Sequence, residues 1–326
     1  MRYHEPDGRP ADPEHDEATG GDDILEFRLG VTALPERLDR VLAGLMPEHS
    51  RSRLQGWIEA GHVLLNGKSV RIRQLAGPGD LIQVRPQLPP EDLAFTPQDI
   101  AFHVVHDSPD WIVVDKPAGL VTHPGAGNWS GTLLNGLLHR YPELARLPRA
   151  GIVHRLDKDT SGLMVVARTE TAQTHLVRQL QARSVHREYL AMLHGHLTGE
   201  GRVERAIGRD PAVPVRMSVD RPIAPRPALT RFQAQRHGAW QEHAVTLAAC
   251  RLETGRTHQI RVHMASLQHP LLGDSLYGGR CIAGAQRQML HAWKLCFDDP
   301  ASGKEAAFTS DPPADFQTVR EAITWL

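Results

Sequence analysis

From Arg37 to Pro86 the apolar positions change period, and the changes predict a small mixed unit of helices and strands. Leu38, Val41, Leu42 and Leu45 recur at helical spacing, as do Leu54, Trp57 and Ile58, with Ser50 or Ser52 placed to cap the second helix. In "HVLLNGKSVR" the pattern becomes that of a hairpin, because Asn66-Gly67 supplies the positive φ angles of a tight turn. "GPGDLIQV" adds a further turn and strand. The Pro-rich "RPQLPPEDLAFTPQD" then reads as a linker over 87–99.

Beyond residue 100 strand and helix patterns alternate. "IAFHVVHDSPDWIVVDKP" predicts two short strands, and "GTLLNGLLHRY" a helix with Leu133, Leu134, Leu137 and Leu138 on one side. "GLMVVART" reads as a buried strand, "ETAQTHLVRQLQARSV" as an amphipathic helix with Glu170 in its first turn, and "REYLAMLHGHL" as another strand. Residues 201–235, rich in Arg and Pro, resolve only into strands and loops. Ile260, Met264 and Leu267 then mark a helix ending before His269-Pro270. No internal repeat is visible.

Composition adds boundaries. A chain of 326 residues with 40% hydrophobic content can build a large domain and a small one. Residues 1–24 hold eight acids, two bases and few large apolar side chains, which predicts a disordered acidic tail. The remainder carries 35 bases against 30 acids, a mild excess compatible with a polyanionic partner. With no long apolar run and no charged leader ahead of one, neither a membrane span nor a signal peptide is expected. Cys250, Cys281 and Cys296 lie far apart without CxxC spacing, which argues against a disulfide framework or a zinc site and fits a cytoplasmic protein.

The densest polar chemistry lies in "GIVHRLDKDTSGLMVVARTE", residues 151–170, where Asp157 and Asp159 sit beside Arg155 and Lys158 between two apolar runs. A carboxylate flanked by cations keeps its charged form and is a candidate nucleophile, base or ligand. A calcium loop fits Asp157, Asp159, Ser161 and Gly162 but fails at its twelfth position, which is Arg168. An aspartyl phosphatase would match "DKDT", yet His154-Arg155 interrupts the strand that should precede the first Asp, and no acidic pair for magnesium follows downstream. A glycosidase pair depends on a carboxylate separation that sequence does not give. An Asp that merely hydrogen-bonds its own turn is the structural alternative.

Taken whole, "GIVHRLDKDTSGL" resembles the His-Arg-Leu-Asp-x-x-Thr-Ser-Gly signature of the RluA family of pseudouridine synthases. Other blocks similar to that family appear in order: "VVDKPAGLVTHPGAGNWSGTLLNGL", "REYLA", "RPALT", "LETGRTHQIRVHMASLQHPLLGDSLYGG" and "LHAWKL". The segment before them, with "SRSRLQGWI" and the Gly-His-Val hairpin, resembles an S4 RNA-binding domain. Arg187 departs from the lysine common in the family's "KxYLA" block, and the segment after "LYGG" is short.

The resemblance implies an α+β protein: an S4 domain over 25–86, then a catalytic domain over 100–326 with a mixed, largely antiparallel sheet flanked by helices. It implies isomerisation of uridine to pseudouridine in large-subunit ribosomal RNA, in the stem-loop called helix 69, without cofactor or metal. Asp157 takes the place of the catalytic aspartate, Arg261 of the arginine paired with it, and Tyr189 of the active-site tyrosine. His154 and Arg155 become candidates for supporting the loop and for filling the space of a flipped base. Arg51, Arg53, Lys68 and Arg71 are candidate phosphate contacts. The expected partner is the ribosomal RNA or the pre-50S particle, the expected state a monomer. The competing reading is an S4-type binding or assembly factor without catalysis.

Overall fold

A computed structural model of the chain describes residues 24–87, 90–125 and 127–326. The expected acidic tail, Ile24 apart, lies outside the described residues. The chain divides between Pro89 and Pro90 into two compact units.

The first unit runs β1 (Leu25–Arg28), β2 (Glu36–Arg37), α1 (Leu38–Leu45), α2 (Arg51–Glu59), β3 (Val63–Leu65), β4 (Lys68–Ser69), β5 (Leu75–Ala76) and β6 (Leu81–Val84). Its antiparallel sheet has the order β1-β6-β3-β4, with β2 paired to β5. The two apolar stripes meet the sheet through Leu38, Leu42, Leu54, Trp57, Ile58, Val63 and Ile82, all buried in one cluster. Ser50 is the cap: its Oγ accepts from the Arg53 N–H. The hairpin turns at Asn66 (φ 53°) and Gly67 (φ 75°), as the Asn-Gly pair demands.

The second unit runs β7 (His103–Asp107), β8 (Trp111–Lys116), α3 (Leu133–Arg140), β9 (Ser161–Ala167), α4 (Glu170–Ala182), β10 (His186–His194), β11 (Glu200–Glu204), β12 (Ile207–Arg209), β13 (Met217–Ser218), β14 (Ile223–Arg226), β15 (Leu229–Trp240), β16 (His243–Leu252), α5 (Gln259–Ser266), β17 (Leu290–Asp298), β18 (Glu305–Thr309), α6 (Ala314–Ala322) and β19 (Thr324–Trp325). A ten-stranded sheet is ordered β11-β15-β16-β10-β17-β9-β8-β7, with β18 added to β17 and β19 to β15. All its pairings are antiparallel except β17 with β9. β12, β13 and β14 form a separate small sheet, which orders part of the segment the sequence left unassigned.

Strand alternation sends successive side chains to opposite faces. Ile112, Val114, Met164, Val166, Tyr189 and Ala191 share one core with Leu133, Leu134 and Leu137 of α3 and Ile260 and Met264 of α5. Trp111, Val113, Leu163 and Val165 pack on Ala172 and Leu176 of α4. Leu190, Met192 and Leu247 pack on Phe316 and Val319 of α6. The sheet is thus covered on both faces, and Tyr189 belongs to the face of α3 and α5.

Two glycines of the 151–162 signature are fixed by backbone approach. A Cβ at Gly162 (φ 116°) would lie 2.3 Å from the Ala292 carbonyl oxygen, where β9 meets β17; one at Gly151 (φ 73°) would lie 1.9 Å from the Ala167 oxygen. Only glycine fits either position.

The stretch expected to be a linker over 87–99 is partly structured. Pro90–Phe95 forms a 3-10 helix within the second unit. The Asn135 amide, buried on α3, donates to the carbonyls of Leu93, Ala94 and Thr96, and the Gln98 side chain accepts from the Gly131 N–H. Proline content signalled irregular backbone, and irregular backbone can still be tied down by a buried amide.

Candidate active site

Asp157 stands in the loop between the 3-10 turn at Pro148–Gly151 and β9, and three side chains hold that loop by its carbonyls. Thr122 Oγ1 donates to Leu156 O (2.8 Å), Lys116 Nζ to Lys158 O (3.0 Å), and Arg287 Nη1 to Asp159 O (2.9 Å). The Leu156 side chain, 4% exposed, anchors the loop in the core beneath. Lys116 ends the apolar strand β8 and is fully buried; its other hydrogens go to the carbonyls of Pro117 and Leu120, both at 2.8 Å. Burial pulls its pKa down to about 7 against the opposing charges of Asp157 and Asp159. The three carbonyl acceptors match the three hydrogens of the ammonium form.

The cation facing the Asp157 carboxylate is neither Arg155 nor Lys158, whose side chains are exposed, but Arg261 of α5. Arg261 Nη1 donates to Asp157 Oδ2 at 3.2 Å, while its Nε and Nη2 grip Asp274 in a two-bond fork at 2.7 and 2.9 Å. The Arg261 side chain is 8% exposed, that of Asp274 1% and that of Asp157 16%, so the fork is the sealed end and Asp157 the open end. The two carboxylates hold the Arg261 pKa above its ordinary value although burial opposes this.

Tyr277 lies under the same guanidinium, its ring centre 5.0 Å away. Its hydroxyl accepts from the Met217 N–H (2.9 Å) and meets His258 Nδ1 at 2.7 Å. Burial pushes the Tyr277 pKa up to about 12 and lowers that of His258, so both are neutral at pH 7. Tyr189 is 4% exposed and burial raises its pKa as well.

Asp157, Tyr189, Arg261, His154 and Arg155 line one cleft with His258 and Arg187, enclosing about 520 Å³ of non-atom space including its open mouth. Sequence reasoning named five of these seven as site residues and noted Arg187 only as a departure from the family's lysine. His154 accepts the Val165 N–H through Nε2 (3.1 Å), tying the loop to β9, and burial drives its pKa down to about 3. Arg155 is exposed at the cleft. The residues not singled out are Lys116, His258, Asp274 and Tyr277. Their only signal was membership of the blocks "VVDKP", "RTHQ" and "GDSLYGG"; the spacing of a lone Lys, His or Tyr says nothing about what faces it.

In the first unit the four candidate phosphate contacts separate. Arg51 donates to a fully buried Asp39 at 2.6 and 3.1 Å while its side chain stays 46% exposed. Burial would raise the Asp39 pKa, but hydrogen bonds from Arg51, Arg37 and Gln55 hold it well below the usual carboxylate range. Arg53 is half-buried, Lys68 and Arg71 are exposed, and none of them forms an ion pair among the described residues.

Fold, signature loop and paired Asp157 define a class, and comparison with known proteins agrees. Residues 110–266 match the family model described as RNA pseudouridylate synthase, and residues 36–82 match the S4 domain. The chain belongs to the RNA pseudouridylate synthase family, with an S4 domain ahead of the catalytic one. Among its relatives is ribosomal large subunit pseudouridine synthase D of Xanthomonas campestris pv. campestris, 47% identical over 305 residues and 90% of each chain. The protein of that name from Vibrio parahaemolyticus is 46% identical over 314 residues, covering 92% of this chain and 94% of its own. The solved structure of human RNA pseudouridylate synthase domain containing 1 superposes with a TM-score of 0.55 at 28% identity, over 70% of this chain and 90% of that one. No helix among the described residues is long and apolar enough to cross a membrane.

Proposed function

We propose that the protein isomerises uridine to pseudouridine in large-subunit ribosomal RNA, with the helix 69 stem-loop, free or in the pre-50S particle, as its substrate. The observation that carries the reading is the Asp157 carboxylate, open to a cleft and backed by an arginine whose other bonds are locked on a buried acid. The target base leaves the stack, at a cost of a few kcal/mol, and enters the cleft with its face toward Tyr189. Arg155, exposed at the rim, fills the vacated place. Asp157 acts on the ribose, the N1–C1′ bond breaks, the uracil turns, and C5 bonds to C1′. C5 loses one proton and N1 gains one, so the product is an isomer and no cofactor is consumed. The S4 unit contributes phosphate contacts through Arg53, Lys68 and Arg71.

The test uses large-subunit RNA, or its stem-loop, labelled with tritium at uracil C5. Wild-type protein releases tritium to water and Asp157→Asn does not. Tight binding without release would assign the chain to RNA binding alone.

A further inference from the structure

Arg187 is a buried cation with no counter-charge. It is 8% exposed, yet among the described residues its side chain forms no ion pair or hydrogen bond; its Nε is sealed without a partner, while its terminal nitrogens are not sealed in this way. A guanidinium does not lose its proton to relieve such a position. The free protein therefore carries an uncompensated charge in its wall, an arrangement that costs stability. Arg261, of similar burial in the same cleft, holds two carboxylates.

The surroundings repeat the sign of the charge. Arg187 lies in the wall shared by the cleft and an adjoining groove. That groove is lined also by Arg183, Arg256, His154, Thr254 and Gly255, with no Asp or Glu among its lining residues. Arg183 and Arg256 are exposed. At Gly255 a Cβ would lie 3.0 Å from Arg187 Nη1, so the absent side chain leaves the guanidinium its space. Position supplies the scale. Arg187 and Tyr189 are two apart on β10 and both line the cleft, about 6.6 Å from Cα to Cα for a strand. A nucleotide whose base rests on the tyrosine carries its phosphate within that reach.

We propose that Arg187 is a phosphate-binding residue, taking the RNA backbone phosphate that adjoins the nucleotide bound at Tyr189, with Arg183 and Arg256 along the same groove. This rests on the uridine isomerisation reading, because that reading places the base at Tyr189. An arginine fork grips a phosphate through two hydrogen bonds, and the anion supplies the charge the free protein lacks. A lysine at this place would keep the charge and lose the fork.

The experiment measures tritium release and, separately, anisotropy of a labelled stem-loop bound to the Asp157→Asn protein. Each is read with Arg187, Arg187→Lys and Arg187→Gln, on stem-loops carrying one neutral methylphosphonate at the linkage on either side of the target uridine. Arg187→Gln is expected to raise the dissociation constant and KM by about 10- to 100-fold, with Arg187→Lys between, as charged hydrogen bonds predict. At one of the two linkages the methylphosphonate should cost the wild type a similar factor and the glutamine variant nothing further. A second readout needs no RNA: Arg187→Met should melt at or above the wild-type temperature, since it removes a buried unpaired charge. Equal losses from the methylphosphonate in wild type and Arg187→Gln would overturn the proposal, as would a lower melting temperature for Arg187→Met with RNA affinity intact. Failure of the wild type to release tritium at all would instead overturn the isomerisation reading.

Discussion

Replacing Asp274 by asparagine tests whether Arg261 is held in place from behind. Asp274 accepts two bonds from the Arg261 fork, at 2.7 and 2.9 Å, with 1% of its side chain exposed. Asparagine keeps one acceptor oxygen and turns an NH₂ group toward the other guanidinium N–H, so one bond is lost and two donors face each other. Removing one partner of a buried ion pair costs about 3–5 kcal/mol. Here one bond survives and Asp157 still shares the charge, which places the cost at the low end, about 3 kcal/mol. In a domain the size of the second unit each kcal/mol moves the melting temperature by about 2–4 °C, so a fall of about 6–12 °C is expected by calorimetry at pH 7. Turnover should fall by about 100-fold, because an Arg261 released from its fork misplaces Nη1 by the ångström that catalysis does not tolerate. The double variant Arg261→Leu, Asp274→Asn supplies the coupling: it should be more stable than the sum of the single changes implies. A single Asp274→Asn that melts within 2 °C of wild type and turns over normally would refute the account.

Two further outcomes follow from the same reasoning. Changing Arg53, Lys68 and Arg71 together to glutamine should reduce the slope of log affinity against log salt by roughly 2 to 3 units, about 0.7–0.9 for each phosphate no longer neutralised; Arg51→Gln should change that slope far less and lower the stability of the first unit, because Asp39 loses a partner. On acidification the second unit should destabilise. His154 titrates at about 3 and His123 at about 4 when folded, burial being the main cause, against 6.5 for an ordinary imidazole. Below 6.5 the unfolded chain takes up protons that the folded chain refuses, so stability is full above 6.5 and is lost as the pH falls toward 4. Melting curves across that range check the sign, and a melting temperature that rose on acidification would contradict it.

How legible the site was varied with the kind of residue. Asp157 stood out because two acids and two bases interrupt apolar sequence, but those bases are not its partners: Arg155 and Lys158 are exposed, and the charge against it comes from Arg261, 104 positions away, which the family resemblance had named and local pattern had not. Lys116 carried no signal, since a lysine at the end of an apolar strand reads as the strand's polar limit. In the first unit Arg51 looked like its neighbours until Asp39 proved fully buried beneath it.

The sequence by itself determined the helices α1 to α5, the hairpin turn at Asn66-Gly67 and the strands β7 to β10, while 201–235 stayed unassigned and 87–99 read as a linker. Helical and alternating periods are local properties, and Asn66-Gly67 or Gly162 are residues the backbone requires where they stand. It also determined, through the signature blocks, which family the chain belongs to. The family resemblance named Arg261 as the partner of Asp157; the remaining partners were decided by tertiary structure. Which acid locks Arg261, what holds the Asp157 loop by its carbonyls, and whether Arg187 finds any acid depend on loops joined through a ten-stranded sheet whose neighbours, such as β17 and β9, are far apart in the chain. Electrostatics acts through space between side chains a few ångströms apart, and that distance is set by strand order rather than by position along the chain.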